Sequence, residues 1–204
     1  MSRYRYGARR FAPIILTVVV IIISIALLVS LARALFFSGT PETAVVEEVD
    51  TTRASLLNTE ADRSVSMTVR GSIVADEDFR SYRIAVSPSE RKVETFTGYL
   101  GTVLERKTLS NNTAAYEEFV HALDKANLAE GTQLEGDAND LRGICASGEV
   151  YEFNLLQGDT SVAMLWTSTC SGSPGSLDVS VSQLTTLFRR QIPDVETMLR
   201  SVSL

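Results

Sequence analysis

The apolar positions of this chain change their spacing along its length, and each change predicts an element. From Ile14 to Ala32 nineteen residues carry no charge. As a helix they rise about 28 Å, close to the roughly 30 Å hydrocarbon core of a bilayer. From Ser38 to about Asp62 the apolar residues settle into no period, and Pro41, Glu42, Glu47, Glu48, Asp50, Thr51 and Thr52 dominate. That composition reads as a stalk, with Val45-Val46 and Leu56-Leu57 leaving room for a brief helix. A period of two then begins with Val65, Met67 and Val69, is broken by Gly71 before Ile73, and returns at Tyr82, Ile84 and Val86. Such alternation predicts strands with one buried face, and Pro88 cannot join a central ladder. Asp76-Glu77-Asp78 reads as the hairpin turn between them. A third extended stretch, Val93 to Leu104, is less regular, and Gly98 and Gly101 suggest a bend or bulge within it.

The period next switches to that of a helix. Tyr116, Phe119, Val120, Leu123 and Ala126 form an i, i+3, i+4, i+7 stripe, which predicts an amphipathic helix over Thr113 to Asn127, capped by Asn112 or Thr113. A polar loop is expected from Ala129 to Asp140, then a short strand around Ile144. Tyr151, Phe153 and Leu155 alternate clearly, and Gln157-Gly158-Asp159-Thr160 reads as the turn into Val162, Met164 and Trp166. Ser171 to Ser176 is a loop. A last helix from about Val179 to Gln191 presents Val181, Leu184 and Phe188, and Pro193 starts a short further helix with Val195, Met198, Leu199 and Val202. The expected fold class is therefore α+β: an N-terminal transmembrane helix, then one small domain with a mostly antiparallel sheet and two main helices. The expected organisation is a basic tail over 1–12, an anchor over 13–37, a stalk over 38–62 and the domain over 63–204.

Charge sets the orientation. Arg3, Arg5, Arg9 and Arg10 precede the apolar run and only Arg33 closely follows it. Arginines beside a membrane span are retained on the cytoplasmic side, so the amino terminus is expected inside and everything after Phe37 outside. Arg33 lies where its stem can stay in the core while its guanidinium reaches the headgroups. Ala32-Arg33-Ala34 also fits the small-x-small pattern of a cleaved signal peptide, but the apolar run is longer than the usual 7–15 residues or so of a signal core. An uncleaved anchor is the expectation, and a mature amino terminus at Leu35 would show cleavage. Across Gly7 to Ala12 neither the aromatic nor the glutamate of a pilin-type processing site is in place. All 25 acidic residues follow the anchor, where 14 basic residues remain, a net charge of −11. An acidic domain repels phosphate, which argues against nucleic acid, anionic lipid or a teichoic-type polymer as the main partner, and no nucleic-acid partner is expected. The expected membrane partner is lipid around the N-terminal helix alone.

The chemistry-bearing candidates are few. Cys145 and Cys170 both follow the anchor, and two cysteines in an exported domain are expected to form one disulfide. Thr167-Ser168-Thr169-Cys170 is similar to the threonine-x-threonine-cysteine strand end of sortases, membrane-anchored surface transpeptidases. That resemblance implies Cys170 as nucleophile, with His121 upstream and Arg189 or Arg190 downstream. It lacks the family's flanking leucine, and His121 is expected on the polar face of a helix, four residues after Glu117. Ser89-Glu90-Arg91-Lys92 matches the serine-x-x-lysine of penicillin-recognising enzymes, without the companion elements. Asp137, Asn139 and Asp140 resemble the start of a calcium loop, but Leu141, Arg142 and Gly148 fall where an oxygen ligand, a glycine and a glutamate are required. Asp76-Glu77-Asp78 is expected to be a solvated turn. With one histidine, a metal site built on histidine pairs is impossible. Asn111-Asn112-Thr113 is a glycosylation sequon. Tyr82, Phe96, Tyr99, Tyr151 and Trp166 are candidate stacking surfaces for sugar rings, each in a strand-like run that equally suits a core. No catalytic residue, cofactor or metal is expected.

The arginine-rich start, the anchor ending Ala34-Leu35-Phe36-Phe37, and the pattern Cys145-Ala-Ser-Gly148-x-x-Tyr151-x-Phe153 with Thr169-Cys170 together resemble single-pass, membrane-anchored extracytoplasmic proteins of candidate-phylum, Saccharibacteria-type bacteria. The resemblance implies a bacterial cell-surface location in a monoderm cell and no particular activity. The expected function is a non-enzymatic, membrane-tethered domain that binds a protein or envelope component. The alternatives are a sortase-like cysteine transpeptidase and a structural subunit of an envelope complex.

Overall fold

Alternation of apolar and polar side chains along the strands between residues 63 and 168 builds a sheet, and the structure, a computed structural model, describes residue 24, residues 51–202 and residue 204. Ser24 apart, the expected tail and anchor and most of the expected stalk lie outside the described residues. Among the described residues no helix is long and apolar enough to cross a membrane. The elements are α1 (Thr51–Leu56), β1 (Arg63–Arg70), β2 (Arg80–Val86), β3 (Glu90–Thr97), β4 (Thr102–Ser110), α2 (Thr113–Lys125), β5 (Val150–Gln157), β6 (Thr160–Ser168), α3 (Val181–Arg189) and α4 (Val195–Leu199), with short 3-10 turns at Gly136–Asn139 and Arg200–Val202. The α+β class is as expected: six strands form one sheet in the order β4-β3-β2-β1-β5-β6, and every pairing is antiparallel.

One face of the sheet carries the core. Val65, Met67, Val69, Tyr82, Ile84, Val86, Val93, Phe153, Leu155, Ala163 and Leu165 pack there against Leu56 of α1, Tyr116, Phe119, Val120 and Leu123 of α2, and Leu184 and Phe188 of α3. Phe188 is fully buried, with its ring edge-on to Phe119 at 5.2 Å and tilted against Phe153 at 5.9 Å. Helix α2 starts where the sequence places it, with Asn112 Oδ1 accepting from the Ala115 amide at 3.0 Å.

Four features depart from the expectations. The stretch from Val93 to Leu104 is two strands: Gly98 and Gly101, at φ 71° and 69°, flank a tight turn that returns the chain as β4. The bulge lies beyond it, at Leu104, where Thr95 pairs with Glu105 but Phe96 with Val103. No strand forms at Ile144; the segment from Asn127 to Glu149 is a long loop. Residues 51–56 form a brief helix for which the sequence left room, but Leu56 is completely buried, so the core begins before residue 63 rather than at the end of a stalk.

Candidate functional site: the open face of the sheet

The second face of the sheet is polar, and strand register lines its side chains up across the molecule. Arg106 on β4 stands opposite Glu94 on β3, Glu94 opposite Arg83 on β2, Arg83 opposite Thr68 on β1, Thr68 opposite Glu152 on β5, and Glu152 opposite Trp166 on β6. A parallel row runs through Lys92, Ala85, Ser66, Asn154 and Met164. Several of these polar residues are nearly inaccessible: Ser66, Thr68, Ser81, Glu94, Glu152 and Asn154 all expose 8% or less. Burying a carboxylate is costly unless it is paired, and both buried carboxylates here are. Glu94 accepts from Arg106 Nε at 2.6 Å and lies 3.4 Å from Lys92 Nζ. Glu152 accepts from Arg70 Nη2 and from Asn154 Nδ2, both at 2.6 Å.

Arg83 is the exception in this row. Its Nε donates to Thr68 Oγ1 at 3.0 Å, and among the described residues no carboxylate pairs with its guanidinium. It is exposed and stands between two shallow concavities, lining both. One, of about 370 Å³, is floored by Ser64, Ser66 and Ala85 and rimmed by Glu90, Lys92 and Asp159. The other, of about 250 Å³, is bounded by Thr68, Arg70 and Ser81 with Phe79, Phe96 and Tyr99. Tyr99 stacks on Phe79 at 4.2 Å, and its hydroxyl accepts from the Val74 amide and donates to the Val74 carbonyl, which fixes the β3–β4 turn against the β1–β2 connection.

The β5–β6 end of this face is covered. Leu134, Leu141 and Ile144 from the long loop pack with Val150, Met164, Trp166, Cys145 and Cys170 into a second, smaller apolar cluster. Cys145 and Cys170 form a disulfide with Cα atoms 5.6 Å apart, as expected from the sequence, and among the described residues no cysteine is free. The cluster was not legible beforehand because Leu134, Leu141 and Ile144 follow no period; their nearness to Cys145 was the only signal.

The other candidates fall away from this face. His121 is exposed on α2, and no hydrogen bond or ion pair joins it to Cys170 or Arg189. Arg189 fastens α3 to the sheet, donating from Nη2 to Tyr82 Oη at 3.1 Å with its guanidinium 5.8 Å from the ring. Burial raises the Tyr82 phenol despite that hydrogen bond, and burial with Glu149 as partner raises Tyr151. Ser89 makes no bond to Lys92, whose ammonium faces Glu94. Asp140 is chelated by Arg142, which holds its carboxyl down at about 2. Asp76 Oδ1 accepts from the Tyr99 amide as a turn acceptor. Among the described residues no group of three or more metal-type ligands converges. Asn111 is spent on the Ser87 carbonyl at 2.6 Å. Of the five candidate stacking aromatics, Tyr82 is in the core, Tyr151 packs against it and Trp166 lies in the smaller cluster; Phe96 and Tyr99 alone line the open concavities. Comparison with protein-family models finds no match, and neither does comparison with curated protein sequences.

Proposed function

We propose that this chain is a membrane-tethered, non-enzymatic extracytoplasmic binding domain whose open sheet face engages a protein or envelope component. The observation that carries this reading is the cross-sheet row Arg106–Glu94–Arg83–Thr68–Glu152. Nearly inaccessible, paired carboxylates flanking an arginine that no carboxylate pairs suit a face that receives a polar partner. In this reading residues 13–37 anchor the chain in the cell membrane, 1–12 stay in the cytoplasm, and the disulfide suits an oxidising exterior. The sortase-like alternative requires a thiolate at Cys170, and the bond to Cys145 leaves none.

The test is photocrosslinking on intact cells. Benzoylphenylalanine replaces Phe96 at the open face in one strain and exposed Glu118 on α2 in another. Adducts from position 96 and none from 118 are expected. Absence of adducts at 96, or equal labelling at both positions, refutes the reading. One fixed stoichiometric partner at both positions would instead favour the structural subunit.

A further inference from the structure

The buried carboxylates of the open face are neutralised within the protein, and Glu90 and Asp159 stand only at the far rim of one concavity, so the guanidinium between the two concavities is left without a carboxylate partner. The terminal nitrogens of Arg83 make no hydrogen bond among the described residues, and neither do the hydroxyls of Ser66 and Ser81, although those residues are 3% and 8% exposed and line the two concavities. A guanidinium with both terminal nitrogens free matches the two oxygens of a carboxylate in a planar fork. The serines stand ready for hydroxyl groups, each able to donate and accept. On one side of Arg83, Phe96 and the Phe79–Tyr99 stack supply apolar ring faces, the surface on which the C–H face of a sugar packs.

From this we infer that the open face binds an acidic saccharide, with its carboxylate on Arg83 and a ring against Phe96. The inference rests on the reading of that face as the binding surface. Size agrees: concavities of about 370 and 250 Å³ meeting at Arg83 hold one or two sugar rings, at or below the small end of ligand sites. Charge agrees as well. The exterior part carries −11, so a densely charged polyanion is repelled at long range, whereas a single carboxylate can reach the Arg83 guanidinium, which no carboxylate of the described residues pairs.

The full-length chain in detergent micelles is titrated calorimetrically with a glucuronic-acid-containing disaccharide, its neutral counterpart, inorganic phosphate, and a short N-acetylated peptide with a free carboxyl terminus. The acidic disaccharide is expected to bind at least tenfold more tightly than each of the others. Arg83→Gln is expected to remove that advantage, bringing the acidic disaccharide to the affinity of its neutral counterpart, with a cooperative unfolding transition retained. Arg83→Lys, which keeps the charge but not the fork, falls between. Phe96→Ala weakens both sugars together. Equal affinity for acidic and neutral sugars, phosphate or peptide binding as tightly, or an Arg83→Gln protein that binds as the parent does, each overturns the inference. Where the acidic sugar fails but crosslinked adducts at position 96 persist on cells, the ligand class falls and the binding face stands; where both fail, both fall.

Discussion

Asp124 holds its negative charge to lower pH than an ordinary aspartate, because Arg53 donates Nε to Oδ1 at 2.7 Å and Nη2 to Oδ2 at 2.8 Å. A carboxyl lowered in the folded state stabilises the fold above the ordinary aspartate range of about 3.9, and that contribution is lost as pH falls through the native value. The Arg53 side chain is 58% exposed, so the pair is worth only about 0.5 kcal/mol. NMR titration of the Asp124 carboxyl is expected to give a midpoint below the usual range, moving up in Arg53→Gln; an identical midpoint in both proteins would show that the pair does not form in solution. A sharper residue-scale effect belongs to Gly175. Its φ is +86°, and a Cβ there would sit 2.1 Å from the Trp166 carbonyl oxygen and 2.7 Å from Thr167 Cα. That same oxygen accepts from the amides of Ser176 and Leu177, so the strand cannot retreat without breaking both bonds. Gly175→Ala should cost about 2–3 kcal/mol, read as a lower denaturant midpoint.

At the scale of elements, the disulfide and the long loop act together. Cys145 and Cys170 close a loop of sequence separation 25, which is worth about 3.5 kcal/mol in a chain-entropy treatment. The loop is tied to the sheet and the 169–178 segment by hydrogen bonds as well: Gln133 Oε1 accepts from the Met164 amide, Thr132 N donates to the Ser176 carbonyl, the Ile73 amide donates to the Ala146 carbonyl, Ser173 Oγ donates to the Ile144 carbonyl, the Glu149 amide donates to Thr169 Oγ1, and the Glu149 and Glu130 carbonyls accept from the Thr169 and Asp178 amides. Because Cys145 and Cys170 pack with Trp166, reduction is expected to loosen that cluster and shift the Trp166 emission to the red, while amide protection in β1–β3 persists. Loss of protection across the whole sheet would show instead that the disulfide supports the main core. This loop is also where the sequence was hardest to read. The strands β1, β2 and β5 and helix α2 announced themselves because each keeps its apolar side chains on one face and so repeats with a fixed period. The loop half-buries Leu134, Leu141 and Ile144 singly around a disulfide, and such contacts on irregular backbone leave no period to find. The β3–β4 hairpin was half legible: Gly98 and Gly101 marked the reversal, but β4 is an exposed edge strand with no buried alternation to identify it as a strand.

Across the whole molecule, the candidate site was the least legible part, for a topological reason. Arg83 is an ordinary arginine within β2, and nothing in its neighbours Tyr82 and Ile84 separates it from any surface residue. Its setting comes from β1, β3, β4 and β5, which are brought beside it only by the strand order. The same order has a consequence in time. Strands β1 to β4 form a meander in which each strand pairs with the next one made, but the other edge of β1 waits for β5, joining Arg70 to Val150 and Arg63 to Gln157. Until the ribosome has delivered residue 157, the chain carries a central strand rich in valine and methionine with one side unfilled, the kind of edge that recruits other chains. Helix α2, emerging in between, can shield the apolar face of that strand but not its row of unpaired amides and carbonyls. The nascent protein thus passes through a vulnerable interval about half its own length, and a cell that makes it in quantity needs something to hold that edge until β5 arrives.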